Sequence, residues 1–310
     1  MASAEQFLQD FTRAVEPKPV RKEGAKRSHT YLRSILRTGQ FASRIQDDYL
    51  SGSYSRDTAI DPLEDVDIIF LIDQKHWQSG WDEFFDQRPD PNAVLQSFQN
   101  AIRYRYAESS VVSQRRSVGL RMHHLDIDVV PAISHAGKDH HIWIPDKDEG
   151  TWIVSGPKVH ASYASLVNER SGRKFKPLVK LLKYWNRGLP TTAAVKSFTI
   201  ETMAVRLFHK HPFDSLEEGL LKFFDFILWL DDGNARLPWR DRCGVSFFWG
   251  NMNVPDVADT GANVAANVNS ERRRRFVEKA HISRDRILEA AQAATVAGAE
   301  SKIGAALRIP

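Results

Sequence analysis

The chain has 310 residues, of which 42% are hydrophobic, so one or two folded domains are expected and global disorder is excluded. Its formal charge of +4 and pI of about 9.1 are mildly basic, which suits a polyphosphate ligand or a nucleic acid. The single cysteine, Cys243, excludes an internal disulfide and a multi-cysteine zinc site, and it fits a reducing compartment. We find no signal peptide or transmembrane run and expect a cytoplasmic protein without a membrane partner.

The N-terminal segment is predicted to be mainly helical. Residues 3–15 have the spacing of a short amphipathic helix. A basic loop from Lys18 to Arg27 and a second helix, from an N-cap at Ser28 to about Asp48, are expected to follow.

The next hundred residues are predicted to add strands. Ser51 to Asp73 is interpreted as a turn, a short helical segment and a strand, and the breaker at residues 89–92 begins a helix to about Tyr106. SVGLRM and LDIDVVPAI are predicted to pair as antiparallel strands joined at His123-His124. Residues 134–158, with their charges, glycines and prolines, are interpreted as rich in loops.

From Val159 onward the pattern is mostly helical. The predicted helices are Lys174 to Arg187, Phe198 to His209, Leu216 to Trp229 and Ser270 to Ala297. We therefore expect an α+β protein with two lobes, a core lobe at residues 1–157 with a mixed sheet and a helical lobe at residues 158–310.

Two aspartates begin the strand within Ser51 to Asp73. Asp65 and Asp67 are two residues apart, so they project from one face of the strand. Two carboxylates this close repel unless a cation lies between them or one is protonated. Hard oxygen ligands favour magnesium, and Gly52-Ser53 just upstream could hold a phosphate through a hydroxyl and backbone N–H groups. Without the aspartates, Gly52-Ser53 would be interpreted as an ordinary turn.

A second strand repeats the pattern with Asp126 and Asp128. Taken alone, a half-exposed strand with two solvated carboxylates is at least as good an interpretation. Together with Asp65 and Asp67, however, these residues match the need of two-metal nucleotidyl transfer for bridging carboxylates.

Basic and hydroxyl side chains on the later helices offer candidate phosphate ligands. Lysines recur at helical spacing between Lys174 and Arg187, either as a solvated face or, near the middle, as triphosphate contacts. Ser197 is either a helix N-cap or a phosphate ligand at a positive helix end. The run Arg272 to Arg275 is interpreted as a solvated helix face with Glu271 and Glu278 as counter-charges.

The combination of Gly-Ser, Asp-x-Asp and a third Asp on another strand resembles the nucleotidyltransferase fold of the DNA polymerase beta superfamily. Residues 127–132 resemble the third-carboxylate strand of the oligoadenylate synthase and cyclic GMP-AMP synthase group. Residues 180–185 and 196–201, together with Asn263-Val264-Ala265, resemble bacterial cyclic oligonucleotide synthases of anti-phage defence. These enzymes are also called cGAS/DncV-like nucleotidyltransferases. The resemblance covers roughly residues 28–295.

The resemblance implies a site in the cleft between the lobes. Its metal ligands would be Asp65, Asp67 and Asp128, which would hold two Mg²⁺ ions, with Mn²⁺ as a possible substitute. Gly52 and Ser53 would contact phosphate, and Lys183 and Ser197 would hold the donor triphosphate.

The sequence departs from the family pattern at two points. Asp57 stands where many relatives have a second glycine before Thr58. The zinc-thumb ligands of the animal cyclic GMP-AMP synthases are absent, so activation by DNA through such a module is not expected.

The predicted activity is synthesis of a cyclic di- or trinucleotide from ribonucleoside triphosphates, without a nucleic-acid requirement and with defence-operon proteins as partners. Two alternatives remain open from the residues alone. One is an RNA terminal nucleotidyltransferase of the CCA-adding or poly(A) type, which would share the aspartates. The other is a non-catalytic nucleotide-binding module, which the intact Asp65, Asp67 and Asp128 disfavour.

Overall fold

A computed structural model describes residues 2–77, 88–248 and 250–309. The chain divides into two compact units, one formed by residues 17–161 and the other by residues 1–16 together with residues 162–310. The N-terminal helix α1 (Ala2–Val15) therefore groups with the second half of the chain and not with the predicted core lobe at residues 1–157.

The unit of residues 17–161 is built on a mixed sheet. Strand order is β1-β2-β5-β4-β3, with β6 paired to β5 and β7 paired to β6. The strands are β1 (Ile45–Ser51), β2 (Asp65–Ile72), β3 (Ser110–Ser113), β4 (Val118–Arg121), β5 (Asp126–Ser134), β6 (Ile142–Asp146) and β7 (Thr151–Ser155). The β2–β5 pair is parallel, and the predicted antiparallel pairing of β4 with β5 is confirmed.

Two helices of the described segments cover one face of this sheet. These are α2 (Pro19–Leu36) and α4 (Pro91–Arg105), while the four-residue α3 (Gly52–Ser55) follows β1. Val66, Ile68 and Phe70 of β2 are fully buried in one apolar cluster with residues of both helices. Alternation along β2 leaves its aspartates on the opposite side of the strand from this cluster.

Two sequence predictions in this unit are wrong. The segment Lys18 to Arg27 is not a loop, because Pro19 occupies the first turn of α2, where its fixed φ favours helix initiation. The predicted helix to Asp48 ends at Leu36, and β1 follows a 3₁₀ turn. The buried Asp48 of β1 pairs with Arg33 of α2 and with Arg37, the C-cap residue of that helix.

The segment at residues 134–158, predicted to be rich in loops, also holds two strands, β6 and β7, that the sequence pattern did not indicate. The β-branched and aromatic residues at 142–144 and 151–154 favour strands, and a turn with Gly150 at a φ of 62° joins the two strands.

The other unit is helical. Its helices after α1 are α5 (Pro157–Arg170), α6 (Phe175–Arg187), α7 (Ser197–Lys210), α8 (Leu216–Asp232), α9 (Ser270–Ala291) and α10 (Val296–Leu307), with a short hairpin of β8 (Ser246–Phe248) and β9 (Asn251–Asn253). The α5 helix begins in the preceding unit. The predicted single helix from Ser270 to Ala297 is divided, because Thr295 caps α10 by accepting a hydrogen bond from Gly298 N (3.1 Å).

The core of this unit is rich in aromatic residues. Trp185 of α6 is fully buried against Phe224 and Phe276, and its indole N–H donates to Ser283 Oγ (2.9 Å). None of the helices in the described segments has the length and apolarity needed to cross a membrane.

Candidate active site

Four aspartates share one face of the central strand pair. In the parallel β2–β5 register, Asp65 lies opposite Asp126 and Asp67 lies opposite Asp128. The residues between them, Val66 and Ile127, are buried on the other face. The structure therefore places the predicted triad of Asp65, Asp67 and Asp128 on adjacent strands, at the same end of the sheet.

The turn after β1 brings Gly52 against Asp67. Ser51 pairs with Asp67 in the antiparallel β1–β2 register, and Gly52 follows with a φ of 69°. A Cβ at residue 52 would lie 1.7 Å from Asp67 Oδ2, so only glycine fits this close approach. Ser53 is the second residue of α3 and is half-buried, which places the predicted Gly-Ser element beside the aspartates.

Asp57 ends the short helix that begins with Gly52. Its φ is 56°; its N–H donates to Tyr54 O, and Thr58 N–H donates to Ser53 O (2.9 Å). These are the two bonds of a Schellman motif, in which a left-handed residue after the helix is usually glycine. Aspartate is among the few side chains that tolerate this conformation. The departure at Asp57 thus keeps the backbone geometry that a glycine would give.

Burial and like charges act together on the central carboxylate. Burial, with the charges of Asp65 and Asp128 adding to it, raises the pKa of Asp67 to about 7, while Arg56 opposes the shift. Burial also raises the pKa of Asp128, against the opposing effect of Arg121. A carboxylate with this environment is stabilised in its ionised form by a cation.

The donor set suits magnesium, although the side chains are not gathered around one point. Carboxylates of Asp65, Asp67 and Asp128 are hard oxygen donors of the kind Mg²⁺ prefers. Within the described segments, however, no three His, Cys, Asp or Glu side chains form a group that could hold a metal ion. The residues fit the ion by chemistry and strand register, and their role as ligands stays a prediction.

Asp128 makes two contacts that the sequence did not reveal. Gln114 Nε2 donates to Asp128 Oδ1 (3.1 Å), and the Arg121 guanidinium lies 3.8 Å from Asp128 Oδ1 and 2.7 Å from Asp126 Oδ2. Arg121 could have been found from the predicted hairpin, because it lies opposite Asp126 in the β4–β5 register. Gln114 gives no such signal, since it lies in the turn after β3.

The other two predicted site residues lie in the helical unit. Lys183 is buried in α6, with its ammonium nitrogen 2.7 Å from Glu201 Oε2 of α7. Ser197 is exposed at the first position of α7, one turn before Glu201, and Lys196 is the N-cap. The N-cap interpretation of Ser197 is therefore wrong, whereas triphosphate binding by Lys183 and Ser197 stays a prediction.

Two asparagines fix the backbone around these helices. Asn186 of α6 donates to Val195 O (2.7 Å) and accepts from Val195 N (3.0 Å), which holds the approach to α7. Asn263 accepts from Val254 N and Ala265 N and donates to Met252 O. The arginine run is only partly a solvated face: Arg274 and Arg275 pair with Glu271, whereas Arg273 is 18% exposed and pairs with Asp231 (2.6 Å).

Gly52→Ala should reduce turnover more than it reduces stability. The added Cβ displaces the Asp67 carboxylate, and the positive φ adds backbone strain of about 1–3 kcal/mol. Product formation and urea unfolding measure the two effects. Gly150→Ala is the matched control, because this glycine also has a positive φ but nothing lies within 4 Å of an added Cβ. Equal losses of turnover in both variants would show that contact with Asp67 is irrelevant.

The metal-free protein should be more stable at pH 6 than at pH 8. Because the pKa of Asp67 rises from 3.8 to about 7 on folding, the free energy of unfolding falls as the pH rises from 3.8 to about 7 and changes little above that. These values give a difference of about 1.4 kcal/mol for this group over the two pH units. Urea unfolding in EDTA measures it. Asp67→Asn should remove this contribution and the exposed Asp139→Asn should keep it; an unchanged pH dependence in Asp67→Asn contradicts the prediction.

Comparison with known proteins supports the resemblance. Residues 1–168 match the family described as SMODS, the Second Messenger Oligonucleotide or Dinucleotide Synthetase domain. A cyclic AMP-AMP-AMP synthase of Acinetobacter sp. is 30% identical over 291 residues, which cover 90% of this chain and 76% of that protein.

Solved structures show the same fold. The Escherichia coli MS115-1 CdnC in complex with HORMA-deltaN has a TM-score of 0.73 and 18% identity, with 98% of this chain and 96% of that chain covered. The same protein with ATP has a TM-score of 0.72 and 20% identity, with 98% and 97% covered. The polymerase-beta-like fold and the family match agree, and the chain belongs to the SMODS family of bacterial cGAS/DncV-like nucleotidyltransferases.

Proposed function

We propose that this chain joins ribonucleoside triphosphates into cyclic di- or trinucleotide second messengers, in a magnesium-dependent reaction that serves anti-phage defence. The observation that carries the proposal is the parallel register of Asp67 and Asp128, with Asp65 on the same face and Gly52 in close approach. Family membership favours this product over RNA-terminal transfer.

The reaction replaces one phosphorus–oxygen bond by another. A ribose hydroxyl oxygen of one nucleotide bonds to the α-phosphorus of a second, the bond to the β-phosphate oxygen breaks, and pyrophosphate leaves. The hydroxyl proton is lost to solvent. Repetition and a final intramolecular attack close the ring. When bound, Mg²⁺ supplies Lewis-acid polarisation of the phosphate and lowers the pKa of the attacking hydroxyl.

The chain's own residues have three tasks in this proposal. Asp65, Asp67 and Asp128 hold the magnesium ions through their carboxylate oxygens. Gly52 leaves room for the Asp67 carboxylate, and the Ser53 hydroxyl contacts a phosphate of the donor. Lys183 and Ser197 are assigned to the donor triphosphate on the resemblance alone. No side-chain base is assigned.

The relatives suggest substrates and partners. The Acinetobacter protein is named for a product of three AMP units, and a solved neighbour carries ATP, so we include ATP among the substrates. That neighbour was also solved with HORMA-deltaN, and we extend the idea of a regulatory protein partner to this chain.

Mass spectrometry of the products tests the proposal. The purified protein is incubated with Mg²⁺ or Mn²⁺ and all four ribonucleoside triphosphates, with and without tRNA. We expect pyrophosphate and a phosphatase-resistant cyclic product whose yield does not depend on tRNA. A labelled tRNA end without any cyclic product would instead favour the RNA-terminal alternative. Loss of phage protection in cells carrying Asp67→Asn tests the defence role.

A further inference from the structure

The turn between β3 and β4 places an amide side chain on the third carboxylate. Gln114 is half-buried and donates from Nε2 to Asp128 Oδ1 at 3.1 Å. Its other amide atom, Oε1, accepts a hydrogen bond from Ser117 Oγ at 2.9 Å. Ser117 is 6% exposed, so this second bond lies inside the unit. The two bonds fix the orientation of the amide, with the donor toward the carboxylate.

The residue of β4 that lies next to this amide is a glycine. Gly119 of β4 lies opposite Asp128 in the β4–β5 register. A Cβ there would lie 2.5 Å from Gln114 Nε2 and 3.2 Å from Asp128 Oδ1. The φ of Gly119 is not among the positive values of the chain, so the requirement for glycine comes from space and not from backbone conformation. The Gln114–Asp128 contact therefore occupies the space that a side chain at residue 119 would fill.

The turn that carries Gln114 is held by hydrogen bonds within itself and to residues 146 and 147. Gln114 N–H donates to Ser117 O (2.8 Å), which closes the turn. The next two residues, Arg115 and Arg116, both donate to the carboxylate of Asp146, which is 1% exposed on β6. Lys147 N–H donates to Arg115 O (2.8 Å) as well. These bonds fix the turn against the end of β6.

We propose that Gln114 is a positioning residue for Asp128, which orients this carboxylate for the metal, and that Gly119 provides the space for the contact. The inference rests on the proposed function, because it assumes that Asp128 is a metal ligand. Partners that hydrogen-bond a ligating carboxylate fix its direction, and their loss typically lowers metal affinity or activity by about 10- to 100-fold. An amide suits this task, since it donates without carrying a charge that competes with the metal.

The test combines two variants with a metal-binding readout. Gln114→Met keeps the length of the side chain and removes the donor, and Gln114→Glu places a carboxylate beside Asp128. Mn²⁺ binding in the presence of α,β-methylene-ATP is followed by electron paramagnetic resonance, together with urea unfolding and turnover at several Mg²⁺ concentrations. We expect Mn²⁺ affinity to fall by about 10- to 100-fold in Gln114→Met. It should fall less in Gln114→Glu, because the added carboxylate removes the donor but also attracts the cation. Excess Mg²⁺ should partly restore turnover in Gln114→Met.

Gln96→Met is the matched control. Gln96 is exposed on α4 and bonds only a neighbouring side chain, Asn100, in the contacts described, so the same change should leave Mn²⁺ affinity unaltered. In the wild-type background, Gly119→Ala should lower Mn²⁺ affinity as Gln114→Met does. In a Gln114→Ala background it should have a smaller effect, because the nearest atom to its new Cβ has been removed.

The outcomes separate this inference from the proposed function. If the wild-type protein forms cyclic product but Gln114→Met binds Mn²⁺ as tightly as Gln96→Met does, the positioning role is overturned. If stability falls and the metal dependence is unchanged, Gln114 is structural only, which also overturns it. If the wild-type protein binds no Mn²⁺ and makes no product, the proposed function has failed, and the inference fails with it.

Discussion

Asp67→Asn should give a folded protein that forms no detectable cyclic product. The substitution removes the carboxylate that lies closest to Gly52 and opposite Asp128 in the parallel register. Loss of outer partners of a metal site typically lowers activity by about 10- to 100-fold, and loss of a ligand itself should exceed the upper end of that range. Pyrophosphate release and mass spectrometry measure the effect under saturating Mg²⁺ and nucleotide.

Stability data distinguish this result from unfolding. Because the pKa of Asp67 is raised by burial and by two like charges, the neutral amide should leave the metal-free protein at least as stable at pH 8. Asp126→Asn is the control: this residue shares the carboxylate face but lies opposite Asp65 and pairs with Arg121. If Asp67→Asn turns over at more than a tenth of the wild-type rate, Asp67 is not a metal ligand.

The alternation of residue types along the sequence was sufficient to predict the two strands that carry the aspartates. Alternation within β2 and β5 indicated which residues are buried, and Val66, Ile68 and Ile127 are indeed fully buried. The same alternation put Asp65 with Asp67 and Asp126 with Asp128. The parallel pairing of β2 with β5 required the fold, because more than fifty residues separate the two strands and a periodic pattern contains no register.

Three features were not accessible to sequence reasoning. Strand β1 was hidden because Asp47 and Asp48 look like helix-surface residues, and only the pairing of Asp48 with Arg33 and Arg37 explains a buried carboxylate there. The role of Asp57 depends on a φ of 56°, which the residue type alone does not reveal. The Gln114–Asp128 contact joins a turn to a strand, and no spacing rule connects them.

Lys183→Met should destabilise the protein strongly, whatever its role in nucleotide binding. The Lys183 and Glu201 side chains are 5% and 3% exposed, and removing the ammonium leaves the carboxylate buried without this partner. Breaking a buried pair in this way typically costs about 3–5 kcal/mol. Urea unfolding without nucleotide measures the loss. Lys302→Met breaks an exposed pair with Glu289 and should cost less than about 1 kcal/mol.

The double variant Lys183→Met/Glu201→Leu separates packing from nucleotide binding. Replacing both members of a buried pair by apolar residues is often neutral or stabilising, so the free energy of unfolding should return close to that of the wild type. If Lys183 contacts the donor triphosphate, as the family resemblance implies, the KM for nucleotide should stay above the wild-type value in this double variant even though its stability is restored. If the double variant recovers both stability and KM, the role of Lys183 is purely structural. If the free energy of unfolding of Lys183→Met alone lies within about 1 kcal/mol of the wild-type value, the buried pair itself is contradicted.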